Sequence, residues 1–367
     1  MTRLLLIIPT LDRGGAEKQL TLLAAGLPRD RFDVHVCLLT RSGPHAETLR
    51  AHDVPIHEIH KRRKLDPLAY LRLKKEIKRL RPDIVHTWIF AANAYGRAAA
   101  SAAKVPHLIC GERCVDPWKQ GYELAIDRYL DRKTDKIAVN SSGIQEFYVG
   151  KGRAAEKFVV IPNGIDSTPP QASLSRERLL RQLNLSYDAR LLVAVGRLWP
   201  QKRLKDLIWA VDILGRIRQD VHLLVVGDGP QRDRLVKFAR QTNTQNNVHF
   251  LGARDDVPQL LAHADCFVLA SGYEGQSNAL MEAMVAGVPA VVSDIPGNRD
   301  LVIPDETGYL IPLGQRAEYA RQVNHILNDD ELRLQLGKAA QARIAAEFSI
   351  PQMIERHILM YDQVASA

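Results

Sequence analysis

Two successive doubly wound α/β domains are the fold class this sequence predicts, and three observations predict it. Short, continuously apolar runs of strand length alternate with helical stretches through the first half. The rhythm breaks once, in a polar segment at 166–190 that carries Pro169-Pro170 and several serines, and at Leu191 it restarts. Continuous apolar runs are what strands covered by helices on both faces require, whereas a sheet with one wet face alternates. A β-α-β rhythm repeated in this way gives a mostly parallel, Rossmann-like sheet. The 367 residues suffice for two such domains with ordinary cores.

In chain order, the first-domain strands are expected at 4–9, 34–39, 56–59, 84–88, 108–110, 137–140 and 159–162, with helices such as 16–27, 67–80 and 91–103 between them. Second-domain strands are expected at 191–195, 222–226, 248–251, 266–269 and 290–293. The tail, 350–367, reads as a helix crossing back onto the first domain. The expected division is therefore 1–170, 171–349 and 350–367.

Composition excludes several classes. The N-terminal apolar run is too short for a signal peptide and is followed by Gly14-Gly15, and no stretch approaches the roughly 18 apolar residues of a membrane span. A cytoplasmic protein is expected. Cys37, Cys110, Cys114 and Cys266 form no metal-binding or redox spacing and read as reduced structural thiols. The net charge of +8 is local: residues 61–81 hold ten Lys and Arg against Asp66 and Glu76, and the remainder is neutral. Interleaved aromatics and nucleic-acid recognition motifs are lacking, so no nucleic-acid partner is expected.

Ligands of doubly wound sheets bind outside the carboxyl ends of the strands, and the motifs cluster there. Gly14-Gly15-Ala16-Glu17 follows the first strand and opens a helix, where free N–H groups suit an anion. Alone, such a pair is more often a plain turn. Gly196-Arg197 with Lys202 follows the first strand of the second domain. An Arg and a Lys at a sheet edge suit a diphosphate, although a lone basic loop is also a solvated one. The stretch 274–282 places Glu274 in a loop, Ser277 as the N-cap of a helix running to about Gly287, and Glu282 in its second turn. Two carboxylates then face one ligand at different depths, with backbone N–H groups near Gln276 to Ala279 between them.

With these motifs the sequence resembles the family 4 glycosyltransferases of the GT-B fold, known as retaining enzymes, over nearly the whole chain. The markers are Gly14-Gly15-Ala16-Glu17, Pro162-Asn163-Gly164-Ile165-Asp166, Gly196-Arg197 with Lys202, Val226-Gly227-Asp228-Gly229-Pro230, Phe250-Leu251-Gly252, and Glu274 through Pro296-Gly297-Asn298. The resemblance implies an N-terminal acceptor-binding domain and a C-terminal nucleotide-sugar domain. Gly14 and Gly15 would approach the donor phosphates, and Arg197 and Lys202 would neutralise the leaving diphosphate. Glu274 would bind the sugar hydroxyls; Ser277, Asn278 and Ala279 would offer backbone contacts; Glu282 would hold the ribose; and Leu251 would line the base site. Many members carry a His after the fifth strand of the first domain. Here that place falls at Gly111-Glu112-Arg113, similar to a sub-group acting on lipid-linked or capsular glycans. Glu112 is thus a catalytic candidate beside Glu274, Arg197 and Lys202, and Arg113 an acceptor-side one. His86, after the fourth strand, is expected at the cleft in either role, although a lone His at a strand end is structural as often as not.

The expected reaction moves a hexose or N-acetylhexosamine from a nucleotide sugar, with UDP the expected carrier, to a glycan or polyprenyl-linked acceptor in cell-surface polysaccharide or glycoconjugate synthesis. No cofactor and no metal are expected: Arg197, Lys202 and the helix start at Asn278 would stabilise the developing phosphate charge. Front-face attack is favoured over double displacement, because Glu274 is the one obvious donor-side acid and its implied task is hydroxyl binding. The basic segment 61–81 is either a solvated helix face or a contact with an anionic membrane surface, placing the protein at the inner face of the cytoplasmic membrane. Two other functions stay open: a sugar-nucleotide epimerase of the same fold, and a non-catalytic partner in a glycan assembly complex.

Overall fold

The computed structural model describes residues 1–119, 121–171 and 174–366. They fall into two compact α/β units. The first is Met1–Gly164 with the C-terminal segment from Phe348, and the second is Ile165–Glu347.

The first unit is built on seven parallel strands: β1 (Thr2–Thr10), β2 (Phe32–Arg41), β3 (Ile56–Glu58), β4 (Ile84–Trp88), β5 (His107–Glu112), β6 (Lys136–Val139) and β7 (Phe158–Val160). Their order is β3-β2-β1-β4-β5-β6-β7, so the winding reverses between β1 and β4. Side chains alternate along β1 and feed two cores. Leu4, Leu6 and Ile8 pack with Met353, Met360 and Tyr361 of the C-terminal helix. Leu5 and Ile7 pack on the other face with Leu73 and Ile77 of the helix Pro67–Leu80 and with Ala92 and Ala99 of the helix Ile89–Ala103. The C-terminal helix, Ile350–Ala365, starts with a capping box between Ser349 and Gln352 and buries Met353, His357, Met360, Tyr361 and Val364 at spacings of three and four. Ala367, within the expected tail helix, lies outside the described residues.

The second unit has six parallel strands: β8 (Arg190–Val195), β9 (Val221–Val226), β10 (Val248–Gly252), β11 (Cys266–Leu269), β12 (Ala290–Ser293) and β13 (Gly308–Ile311). Their order is β10-β9-β8-β11-β12-β13, with the reversal between β8 and β11. The four-residue β13 is an addition to the strands expected from sequence.

The segment 166–190, read as a linker, is folded in part. Residues 172 and 173 of it lie outside the described residues. The helix Arg176–Gln182 is N-capped by Ser175 and belongs to the second unit. Arg176 reaches Asp265 at 2.7 Å and donates to the Ala189 carbonyl at 2.7 Å, which ties the polar segment to the sheet edge. The division accordingly falls after Gly164 and not at 170. No described helix is long and apolar enough to cross a membrane.

Candidate functional site

In the second unit the reversal between β8 and β11 brings two loops together. After β8 the chain turns through Gly196 into the short 3-10 turn Pro200–Lys202; after β11 it runs through Ser271 to Glu274. Lys202 Nζ donates to Glu274 Oε1 at 2.5 Å. Gln201 Nε2 donates to the Tyr273 carbonyl at 2.7 Å and to Glu274 Oε2 at 3.3 Å. The Gly272 N–H donates back to the Gln201 carbonyl at 2.9 Å. Glu274 is thereby held by both its oxygens while staying half-buried, within reach of a ligand.

Two glycines explain why these loops sit so close. A Cβ on Gly297 would overlap the Gly275 carbonyl, so the short helix Pro296–Arg299 presses against the Glu274 loop only because position 297 has no side chain. A Cβ on Gly227, at φ +132°, would overlap the Gly196 carbonyl in the same way, and the Gly227 N–H donates to the Gly252 carbonyl at 2.7 Å. Leu251 is thus set beside this turn, at the end of β10.

Ser277 N-caps the helix Asn278–Val285, its Oγ accepting from Leu280 N at 3.4 Å. Asn278 and Ala279 form the first turn, and Glu282 lies half-buried in the second. A short helix start beside a Lys, downstream of an Arg-bearing turn, favours an anion through the positive end of its dipole. Arg197 is exposed, its guanidinium 5.9 Å from the Trp199 ring centre, and it makes no ion pair among the described residues.

The first unit treats its expected site residues differently. Gly14 is the N-cap of the helix Gly15–Gly26, and the Glu17 carboxylate folds into the space a Cβ on Gly14 would fill. Thr10 Oγ1 also donates to that carboxylate, at 3.4 Å. An anion arriving at Gly14 and Gly15 therefore meets Glu17 first.

His86, expected at a cleft, is fully buried beneath the C-terminal helix, with Nδ1 hydrogen-bonded to Tyr361 Oη at 2.9 Å. Burial, with His357 and Arg113 nearby, pushes its pKa far below the ordinary imidazole range. Glu112 is corrected likewise. It ends β5 but turns inward, 1 % exposed, between Arg153 Nη1 at 2.8 Å and Lys119 Nζ at 3.2 Å. Burial alone would raise its pKa; Lys119 and Arg153 outweigh that and lower it. The network continues from Lys119 to Asp127 at 3.0 Å, from Asp127 to Arg97 at 2.6 Å, and from Asp131 to both Arg97 and Arg153 at 2.7 Å. Sequence reading named none of these partners, which come from positions scattered between 97 and 153.

Arg113 is the exception among the three. It is buried with its guanidinium 4.6 Å over the Trp88 ring, it donates to Asn163 Oδ1, and among the described residues no carboxylate pairs with it. Burial pushes its pKa down to about 9. Around it the buried atoms Arg113 Nε, His86 Nε2, Trp88 Nε1, His357 Nε2 and Asn140 Oδ1 have no hydrogen-bond partner among the described residues. The chain also enters the helix after β4 through Ile89 at φ +60°, a left-handed conformation that costs a β-branched residue about 1–3 kcal/mol and that concentrates at functional sites. Among the described residues no three His, Cys, Asp or Glu side chains converge as a metal site requires.

Comparison with known proteins agrees with this geometry. The family described as Glycosyltransferase Family 4 matches residues 13–168, and the one described as Glycosyl transferases group 1 matches residues 175–343. The UDP-Gal:alpha-D-GlcNAc-diphosphoundecaprenol alpha-1,3-galactosyltransferase of Escherichia coli is 29% identical over 350 residues, covering 90% of this chain and 89% of its own. The glycogen synthase of Mycobacterium tuberculosis is 30% identical over 295 residues, covering 76% and 69%. The crystal structure of Anabaena HepE in complex with UDP-glucose superposes with a TM-score of 0.87 at 25% identity, covering 99% of this chain and all of the other. With both halves of the fold matched in order, and the turns after β1 and β8 inside the matched segments, this chain belongs to the family 4, group 1 glycosyltransferases of the GT-B fold.

Proposed function

We propose that this glycosyltransferase is a retaining, metal-independent enzyme that moves a hexose or N-acetylhexosamine from a UDP-linked donor to a glycan or polyprenyl-linked acceptor. The observation that carries the reading is the Lys202–Glu274 pair at 2.5 Å, set at the reversal of the second sheet beside the helix start at Asn278. The UDP-glucose bound by HepE and the diphosphoundecaprenol-linked acceptor of the Escherichia coli relative support the donor and acceptor classes.

In this reading Glu274, oriented by Gln201 and Lys202, accepts hydrogen bonds from donor sugar hydroxyls. Lys202, Arg197 and the N–H groups of Asn278 and Ala279 take the negative charge that builds on the diphosphate. Glu282 holds the ribose and Leu251 flanks the base. The bond from the anomeric carbon to the phosphate oxygen breaks, the acceptor oxygen attacks from the same face, and its proton passes to the departing diphosphate. Arg113, buried and without a carboxylate, receives the acceptor's anionic group. His86 and Glu112 act through others, holding Tyr361 and Arg153 in place, and the loop at Gly14 and Gly15 meets the donor phosphates once Glu17 moves aside. The reaction runs at the inner face of the cytoplasmic membrane, with the basic segment 61–81 toward anionic lipid.

The test is acceptor-dependent UDP release in the presence of excess EDTA, with the anomeric configuration of the product read by proton NMR. An α-configured donor giving an α-linked product at an undiminished rate is expected. An inverted product, or loss of the rate on chelation, would overturn the reading. Epimerisation of the donor without acceptor would instead select the epimerase alternative.

A further inference from the structure

The helix Gly121–Asp131 is amphipathic the wrong way round. Its inward face is acidic: Glu123, Asp127 and Asp131 are buried, the latter two among Arg97, Lys119 and Arg153. Its outward face is apolar, with Tyr122 52% exposed and Tyr129 69% exposed. The neighbouring segment does the same. Leu65, just before the helix Pro67–Leu80, is 82% exposed and Leu68 in its first turn 66%, while that helix buries Leu73 and Ile77 as usual. Between these helices and Ile89–Ala103 lies a groove of about 700 Å³, lined by Leu65, Tyr70, Tyr95, Ala98, Ile126 and Tyr129 among others.

The rim of the groove is cationic. Lys61 Nζ lies 5.0 Å from the Tyr95 ring, Lys64 Nζ 5.7 Å from Tyr122, and the Arg132 guanidinium 6.0 Å from Tyr129. Asp66, the acid at the groove, is spent on backbone: its carboxylate accepts from Ala69 N at 2.9 Å and from Arg62 N at 3.0 Å. Along the helix the exposed leucines Leu68 and Leu71 give way to the exposed Lys75 and Lys78 on the same stripe. An apolar trough with tyrosines at its edge and cations above them matches the depth profile of a bilayer surface, where hydrocarbon, aromatic belt and anionic headgroups succeed one another. A second copy of this chain fits poorly, because a symmetric contact would press together two segments each carrying ten basic and two acidic residues.

We propose that this groove docks the first unit on an anionic membrane leaflet, with Leu65, Leu68 and Tyr129 entering the hydrocarbon, a lipid acyl chain filling the trough, and Lys61, Lys64 and Arg132 meeting headgroup phosphates. The proposal deepens the lipid-linked acceptor reading by giving the membrane contact an apolar half. Its measurement uses neither donor nor acceptor, so failure of either reading leaves the other standing.

The full chain is floated with vesicles of phosphatidylcholine alone, or of equal parts phosphatidylcholine and phosphatidylglycerol, at low and high salt. Wild type is expected to float with the anionic vesicles and to keep part of its binding in high salt. The double variant Leu65→Glu/Tyr129→Glu is expected to lose about tenfold or more in partitioning at both salts. The triple variant Lys61→Ala/Lys64→Ala/Arg132→Ala loses binding mainly at low salt. A near-UV circular dichroism spectrum and a denaturant transition matching wild type show that a variant is folded, and the milder Leu65→Ser/Leu68→Ser replaces the double variant if that one is not. Equal flotation of wild type and the apolar variants overturns the proposal. So does a wild-type dimer in solution that Leu65→Glu/Tyr129→Glu dissolves, which would assign the groove to a second copy.

Discussion

The two units share the strand order about the reversal and spend their charged side chains in opposite ways. At the reversal between β8 and β11, Lys202, Gln201 and Glu274 form one compact, half-buried group with ordinary partners on each side. Around the carboxyl ends of β4 and β5, Glu112, Lys119, Arg153, Asp127, Arg97 and Asp131 are buried and satisfy one another. Charges that stay partly wet remain free to exchange a partner for a ligand, because little desolvation separates the two states. Charges taken fully out of water cannot, since removing any one partner strands the others. The second unit therefore keeps an exchangeable pair at its switch point, while the first turns its charges inward as a frame. One consequence of that inward turn is the apolar outer face of the helix Gly121–Asp131.

The sharpest way to break this contrast is to remove one member on each side. Arg153→Met leaves Glu112 and Asp131 short of a cation in the interior, and we expect a loss of about 3–5 kcal/mol in denaturant-induced unfolding. The double variant Arg153→Met/Glu112→Met, which removes one of the two stranded charges as well, should recover part of it. A single-variant loss near that of a surface pair, about 1 kcal/mol or less, would show the network to be hydrated. The matching change in the second unit, Glu274→Ala, should leave unfolding within about 1 kcal/mol of wild type and lower kcat/KM by about 10²–10³, the loss typical when one group stabilising a transition state is removed. If Glu274→Ala destabilised the fold as much as Arg153→Met does, the pair would be a frame and the contrast would vanish.

Much of this was legible in the sequence, and what was not has identifiable causes. The strands announced themselves because parallel strands buried on both faces are continuously apolar, as Leu4 to Ile8 are. β13 did not, since Gly308–Ile311 opens on a glycine and follows the polar turn at 305–307. The residues of the second-unit site were legible because Ser277 and the glycines at 227 and 297 have local geometric reasons to be where they are. Glu112 and Arg113 were chosen together and then parted by the strand. Neighbouring side chains at a strand end point to opposite sides, so one meets Arg153 and the other Trp88. The inverted helix was hidden for a similar reason. Acids at 123 and 127 carry no local sign of burial, and Asp127 is neutralised by Arg97, thirty residues away, together with Lys119.

A smaller effect tests the dryness of the first unit through pH. His86 and His357 are both fully buried in the first unit, and burial is the leading cause that holds both pKa values down, His357 at about 3 and His86 well below its usual range. In the unfolded chain both return to about 6.5. A folded pKa below the unfolded one means that the unfolded state takes up more protons, so this contribution is fully present above pH 6.5 and is lost as pH falls toward the folded values. Each histidine can remove about 1.4 kcal/mol per pH unit once well below 6.5. Unfolding monitored between pH 7 and pH 5 should therefore show falling stability in wild type and a shallower slope in His357→Phe, whose ring can still stack on Trp88 as the imidazole does at 6.2 Å. Against the raising effect of burial, Lys119 and Arg153 hold Glu112 below the usual carboxylate range, so its own contribution is lost only at pH values below this window. An identical slope in wild type and His357→Phe would mean that water reaches the imidazole, and the buried frame under the C-terminal helix would then be no drier than the site around Lys202.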